Sequence, residues 1–145
     1  MSVGVPELDA DHKGLIEVIN QLAANVKDPN RGDVVRQCLF SLLRYAETHF
    51  KREERVMIAC DFPGLEHHKG EHQDFADEIR SLACRFDNEP DETVIIVKEQ
   101  LLNFLQDWFY HHVLIEDMAY RPYAKRKAAR EAAKSFRAAE IWWKR

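Results

Sequence analysis

The chain has 145 residues, 46% of them hydrophobic and 32% charged, with a net charge of −4. That size suits one domain, and the apolar content is too high for a disordered chain. No apolar run approaches the ~18 residues of a membrane span, and five glycines and five prolines are too few for an all-β fold.

Turn residues cluster at Asp28-Pro29-Asn30-Arg31-Gly32, Asp61-Phe62-Pro63-Gly64, Asp87-Asn88-Glu89-Pro90-Asp91 and Arg121-Pro122, cutting the chain into five segments. The first, about 11–27, has His12, Leu15, Ile16, Ile19, Leu22 and Val26 on one helical stripe. The second, about 33–60, carries Val35, Leu39, Leu42, Ala46, His49, Glu53, Val56, Met57 and Cys60. The third, about 66–86, carries His68, His72, Phe75, Ile79, Leu82 and Phe86. The fourth, about 92–118, carries Val94, Val97, Leu101, Leu105, Trp108 and His112. Four amphipathic helices on short loops predict an all-α, up-down-up-down antiparallel four-helix bundle over residues 1–123.

The fifth segment, about 123–143, is rich in alanine, which favours a helix. From Arg121 onward there are nine basic and two acidic residues, a charge of +7, which leaves −11 on residues 1–120. Residues 124–145 are therefore expected to add a basic C-terminal helix. Lys125, Arg126, Arg130, Lys134 and Arg137 would face acid, and Phe136, Trp142 and Trp143 would seek an apolar surface. Docking on the chain's own bundle or on a second copy is the expected use, because opposite charges are already tethered together. No motif reads nucleic acid, and the acidic body would repel phosphate. The start of the chain, MSVGVPELDADH, lacks the basic head and apolar core of a secretory signal, so a cytoplasmic location is expected. Cys38, Cys60 and Cys84 form no C-x-x-C pair and are expected to be buried free thiols.

Each core stripe carries titratable residues where a bundle wants leucine. Burying one such group without a partner costs a few kcal/mol, so several on converging stripes need a common explanation. His12 opens the first helix, His49 and Glu53 lie toward the end of the second, His68 and His72 open the third, and His112 ends the fourth. In an up-down bundle all of these lie toward the same end, which predicts a shared pocket. His49/Glu53 and His68/His72 are i,i+4 pairs, each projecting from one helix face. Imidazoles and carboxylates in a bundle core make a metal site. Five imidazoles and no thiolate exceed the needs of zinc and suit iron, with manganese a weaker option. Two six-coordinate metals offer about 12 positions; five imidazoles, two bridging carboxylates and one bridging oxygen leave one of them open. The second carboxylate is ambiguous. Glu116 is i+4 from His112 and Asp117 is i+5, so a regular helix prefers Glu116, whereas a π-type widening would bring in Asp117.

The stretch Asp11-His12-Lys13-Gly14-Leu15-Ile16, the motif His49-Phe50-x-x-Glu53-Glu54-x-x-Met57, the pair His68-x-x-x-His72-x-x-Phe75 and the run Trp108-x-x-x-His112-Val113-x-x-x-Asp117-x-x-Tyr120 occur in order. Together they resemble the hemerythrins, the bacterial branch in particular, over about residues 3–123. The resemblance implies two non-haem irons joined by an oxo or hydroxo bridge. His68, His72 and His112 would hold one iron; His12 and His49 would hold the other, which keeps the open position. Glu53 and Asp117 would bridge both, which resolves the ambiguity in favour of Asp117. It also implies reversible dioxygen binding at the open position, for carriage, storage or delivery, and no catalysis. A dry wall favours release of the gas, and Ile16, Phe50 and Trp108 are its expected members by stripe position. A sensory module signalling through the tail is the alternative. A di-iron oxidase or nitric-oxide-handling enzyme fits less well, because oxygen-activating bundles are richer in carboxylates.

Overall fold

The computed structural model describes residues 2–88 and 93–143, with the backbone alone from 136 onward. Its helices are α1 (Pro6–Asn25), α2 (Gly32–Ala59), α3 (Leu65–Asn88), α4 (Val94–Trp108), a π-helical segment (Phe109–Glu116) and α5 (Asp117–Trp143). Helix α1 packs on α2 and α4, α2 on α3, and α3 on α4, closing the antiparallel ring of four. The described residues contain no strand, as the composition predicts.

Local chemistry explains the helix ends. Helix α1 begins five residues earlier than its apolar stripe suggests, because Pro6 takes the first turn, where its missing N–H costs nothing. Asp9 then ties down the segment before it, accepting from the Ser2 hydroxyl at 2.6 Å and the Val3 amide at 2.8 Å. Helix α2 ends with the Asp61 amide on the Ile58 carbonyl and the Phe62 amide on the Met57 carbonyl. That pattern needs a left-handed residue at Asp61, whose φ is +53°. In the turn that follows, a side chain at Gly64 would meet the Phe62 ring at 2.7 Å and require that ring to shift.

Two apolar clusters fill the bundle. The larger runs from Leu22, Val35, Leu82 and Val97 up to Phe50, Phe75, Leu105 and Val113. The smaller one, Val3, Leu8, Met57 and Tyr120, closes the other end. Between them lies a layer of buried polar side chains. At the far end Lys98 is fully buried, and its ammonium donates to the carbonyls of Asn25 and Asp28. It thereby satisfies the C-terminal turn of α1 and the following loop, a use of lysine that the stripe pattern does not reveal.

Three expectations need correction. The chain does not break at Arg121-Pro122: α5 runs through Pro122, whose flanking residues Tyr120 and Ala124 are held in the smaller apolar cluster. Helix α5 thus carries the chain from the bundle into the expected basic extension without a break. Among the described side chains of the tail, Ala124 packs in the smaller apolar cluster and Arg126 and Lys127 line a cavity with Ala59 and Cys60, while residues 128–135 are exposed rather than docked on the chain's own bundle. The side chains of Phe136, Arg137, Trp142 and Trp143 lie outside the described residues. Cys38 and Cys60 are buried, but Cys84 is exposed, because it sits two residues past Leu82 and so points away from the α3 stripe.

Candidate metal centre

The polar layer contains His12, His49, Glu53, His68, His72, His112 and Asp117, none more than 3% exposed. All six positions read directly from the core stripes converge here, along with Asp117. The π-helical segment explains the seventh. Widening the turn after Trp108 carries Asp117 inward, while Glu116 stays half-buried on the outside, 3.9 Å from His67.

The two carboxylates split the histidines into two sets. Oε1 of Glu53 lies 2.6 Å from His68 Nε2, 3.0 Å from His72 Nε2 and 3.8 Å from His112 Nε2. Its Oε2 lies 3.2 Å from His49 Nε2 and 3.9 Å from His12 Nε2. Asp117 divides the same way, with Oδ1 at 2.9 Å from His68 Nε2 and 3.0 Å from His112 Nε2, and Oδ2 at 3.0 Å from His12 Nε2. Neighbouring ligands on a six-coordinate metal with bonds of about 2.1 Å lie about 3 Å apart. Most of these spacings match.

The hydrogen-bond accounting points the same way. Both ring nitrogens of His12, Nε2 of His49 and His112, and both oxygens of Asp117 are buried without a hydrogen-bond partner. Buried polar atoms are almost always satisfied, so the orphans that converge, Nε2 of His12, His49 and His112 with the oxygens of Asp117, call for a cation between them. The donor set is imidazole and carboxylate with no thiolate, and fits iron.

Without metal the layer is strongly polarised. Burial alone would lower the pKa of His68 and His112, but Asp117 and Glu53 override it and push them up to about 9 and about 10. Burial opposes the charge on Glu53, and the imidazoles of His112, His49, His68 and His72 overcome it, holding its carboxyl well below the usual range. Burial and the neighbouring Glu53 likewise work against Asp117, and His112, His12 and His68 hold its carboxyl down.

An outer layer of acids orients the rings, and sequence reasoning assigned it no role. Nδ1 of His49 donates to Asp11 at 3.0 Å, Nδ1 of His72 to Glu54 at 2.9 Å, and Nδ1 of His112 to Glu71 at 2.7 Å. Each bond leaves the Nε2 lone pair for the centre. A signal was present: Asp11, Glu54 and Glu71 each adjoin a core residue of the site in sequence, yet each serves a ring on the next helix. Arg52 braces Asp11 at 2.8 Å, and the Tyr120 hydroxyl donates to Glu53 Oε2 at 3.2 Å.

Of the three expected wall residues, Phe50 stacks on His72 at 3.9 Å and Trp108 on His112 at 4.3 Å. Ile16 is half-buried and lines an outer apolar groove with Ile19, Phe109 and Leu114. Tyr45, which the stripe reading passed over, stacks on His49 at 4.5 Å.

Comparison with known proteins agrees with this geometry. The Hemerythrin HHE cation binding domain matches residues 3–124. A bacteriohemerythrin of Clostridium acetobutylicum is 27% identical over 122 residues, covering 81% of this chain and 92% of its own. A bacteriohemerythrin of Stenotrophomonas maltophilia is 25% identical over 125 residues, covering 86% and 78%. A myohemerythrin of Riftia pachyptila is 33% identical over 104 residues, covering 72% and 78%. With its buried histidine-carboxylate layer inside a four-helix ring and this match across the bundle, the chain belongs to the hemerythrin family.

Proposed function

We propose that the chain binds dioxygen reversibly at a pair of non-haem irons, as a carrier or store in a bacterial cytoplasm. One observation carries the reading: Glu53 and Asp117 each turn one oxygen to His68 and His112 and the other to His12. Carboxylates arranged this way would suit bridging two metals. His68, His72 and His112 would hold one iron, and His12 and His49 the other. Two imidazoles against three leave the open position on the His12/His49 side.

When bound, a pair of irons would supply the reversible redox chemistry that dioxygen binding needs. The protein's part is to hold this exchange reversible. The Nδ1 bonds to Asp11, Glu54 and Glu71 fix the imidazoles in one tautomer. Tyr120 pins the Glu53 oxygen that faces His12 and His49. Phe50 and Trp108 cover His72 and His112 from the bundle interior and keep water away.

The test is the visible spectrum of reduced, iron-loaded protein, recorded anaerobically, in air and after deoxygenation. A band that appears in air and vanishes on deoxygenation, with two irons per chain, is expected. Irreversible bleaching would overturn reversible binding. A sensory reading draws support from the unbroken helix that joins Asp117 to the exposed Arg130 and Lys134; an acidic face on a second copy of the chain is one partner those residues suit.

A further inference from the structure

The Tyr45 hydroxyl is buried and has no hydrogen-bond partner. Leaving a phenol inside a protein without a partner is unfavourable, and phenylalanine would fill the same space without that cost. The surroundings show where the hydroxyl sits. The ring lies on α2 one turn before His49 and stacks on its imidazole at 4.5 Å and 16°. Its edge meets Phe50 at 5.5 Å, and Phe75 lies 6.3 Å away across the bundle. Tyr45 also lines the seam between α1 and α2 with Gly14, Leu15 and Val18, while its hydroxyl is buried and its ring lies on His49. It therefore belongs to the His12/His49 side, the side with two imidazoles. Phe50 and Trp108 already cover the three-imidazole side with rings that carry no hydroxyl on His72 and His112. A phenol is uncharged at neutral pH and carries one O–H, which it can donate to a negative group.

We propose that Tyr45 donates a hydrogen bond to the small ligand held at the open position beside His12 and His49, and so selects ligands that carry negative charge there. This rests on the di-iron reading above. Tyr45 is a ligand-positioning residue, distinct from the seven side chains that would hold the irons. It supplies a buried hydroxyl that no acceptor of the protein takes up.

The probe is azide, a small anion, titrated into oxidised, iron-loaded protein and followed by its visible band. In Tyr45→Phe, azide should bind roughly tenfold more weakly, the loss expected when a hydrogen bond to a charged group is removed. Iron content should stay the same, and the melting temperature of the metal-free variant should hold or rise, because an unpartnered hydroxyl has gone. In the unaltered protein the azide stretching frequency should shift between H2O and D2O, and that shift should vanish in Tyr45→Phe. Equal azide affinity in the two proteins would overturn the proposal. So would loss of iron or of metal-free stability in Tyr45→Phe, since it would give the phenol a structural part instead. Failure of the di-iron reading looks different: the unaltered protein would hold fewer than two irons, or give no azide band at all.

Discussion

Glu71 of α3 accepts a hydrogen bond from Nδ1 of His112, on the next helix of the ring, at 2.7 Å. The same step recurs around the bundle, with Asp11 of α1 holding His49 of α2 and Glu54 of α2 holding His72 of α3. Three helices, α1, α2 and α3, thus each orient an imidazole of the helix that follows, so these rings are held by neighbours rather than by their own helix.

Glu71→Gln keeps the shape and removes the charge. Loss of such a carboxylate partner typically weakens metal affinity by about 10–100-fold. Competition with a chelator should show weaker retention of iron, with the fold intact by circular dichroism. Unchanged retention would mean that the Glu71 bond does not tune His112.

Asp117 and Glu116 make a matched pair. Asp117→Ala removes a carboxylate that faces His12, His68 and His112, and should abolish the paired site. Glu116→Ala removes only an outward group near exposed His67 and should leave iron content and spectrum nearly unchanged. Metal analysis and the visible spectrum of both variants decide it, and the reverse pattern would place the wrong residue inside.

The metal-free protein should have an unusual pH profile. His68 and His112 are raised to about 9 and about 10, against about 6.5 when unfolded. Because the folded form holds those protons more tightly, their stabilisation is complete below about pH 6.5 and fades as pH rises through 9 to 10. Glu53 and Asp117 are lowered, so their contribution is present above about pH 4.5 and fades toward acid. Thermal melts of metal-free protein should therefore peak between about pH 4.5 and 6.5. Iron loading requires neutral imidazoles and should move the optimum upward. A metal-free melting temperature that rises from pH 7 to 9.5 would contradict this.

Lys98 separates stability from the site. It lies at the opposite end of the bundle, and Lys98→Ala leaves the carbonyls of Asn25 and Asp28 without their donor. A loss of about 1–3 kcal/mol in denaturant melts is expected, with no change in iron per chain. Loss of iron in a folded Lys98→Ala protein would show that the two ends are coupled.

The i,i+4 pairs His49/Glu53 and His68/His72 were legible because a regular helix puts both members on one face, and helix direction alone brought the four sets to one end. Asp117 was not legible from spacing, because its placement depends on the π-helical segment, which no regular period encodes. The roles of Asp11, Glu54 and Glu71 were hidden for another reason: each acts across a helix interface, while periodicity speaks only of a residue's own helix. Pro122 misled because proline usually ends a helix, and here packing at Tyr120 and Ala124 holds the helix through it. Lys98 was invisible because a lysine on a stripe gives no sign of the carbonyls waiting for it.

The continuity of α5 has a mechanical consequence. Helix α5 begins at Asp117 and has 27 residues, so at 1.5 Å per residue it is a rod about 40 Å long whose near end is a side chain of the centre. A tilt of about 3° at that end would sweep the far end through about 2 Å over this length. Any small adjustment of Asp117 would thus be magnified with distance along α5, with the packing around Tyr120 as the fulcrum.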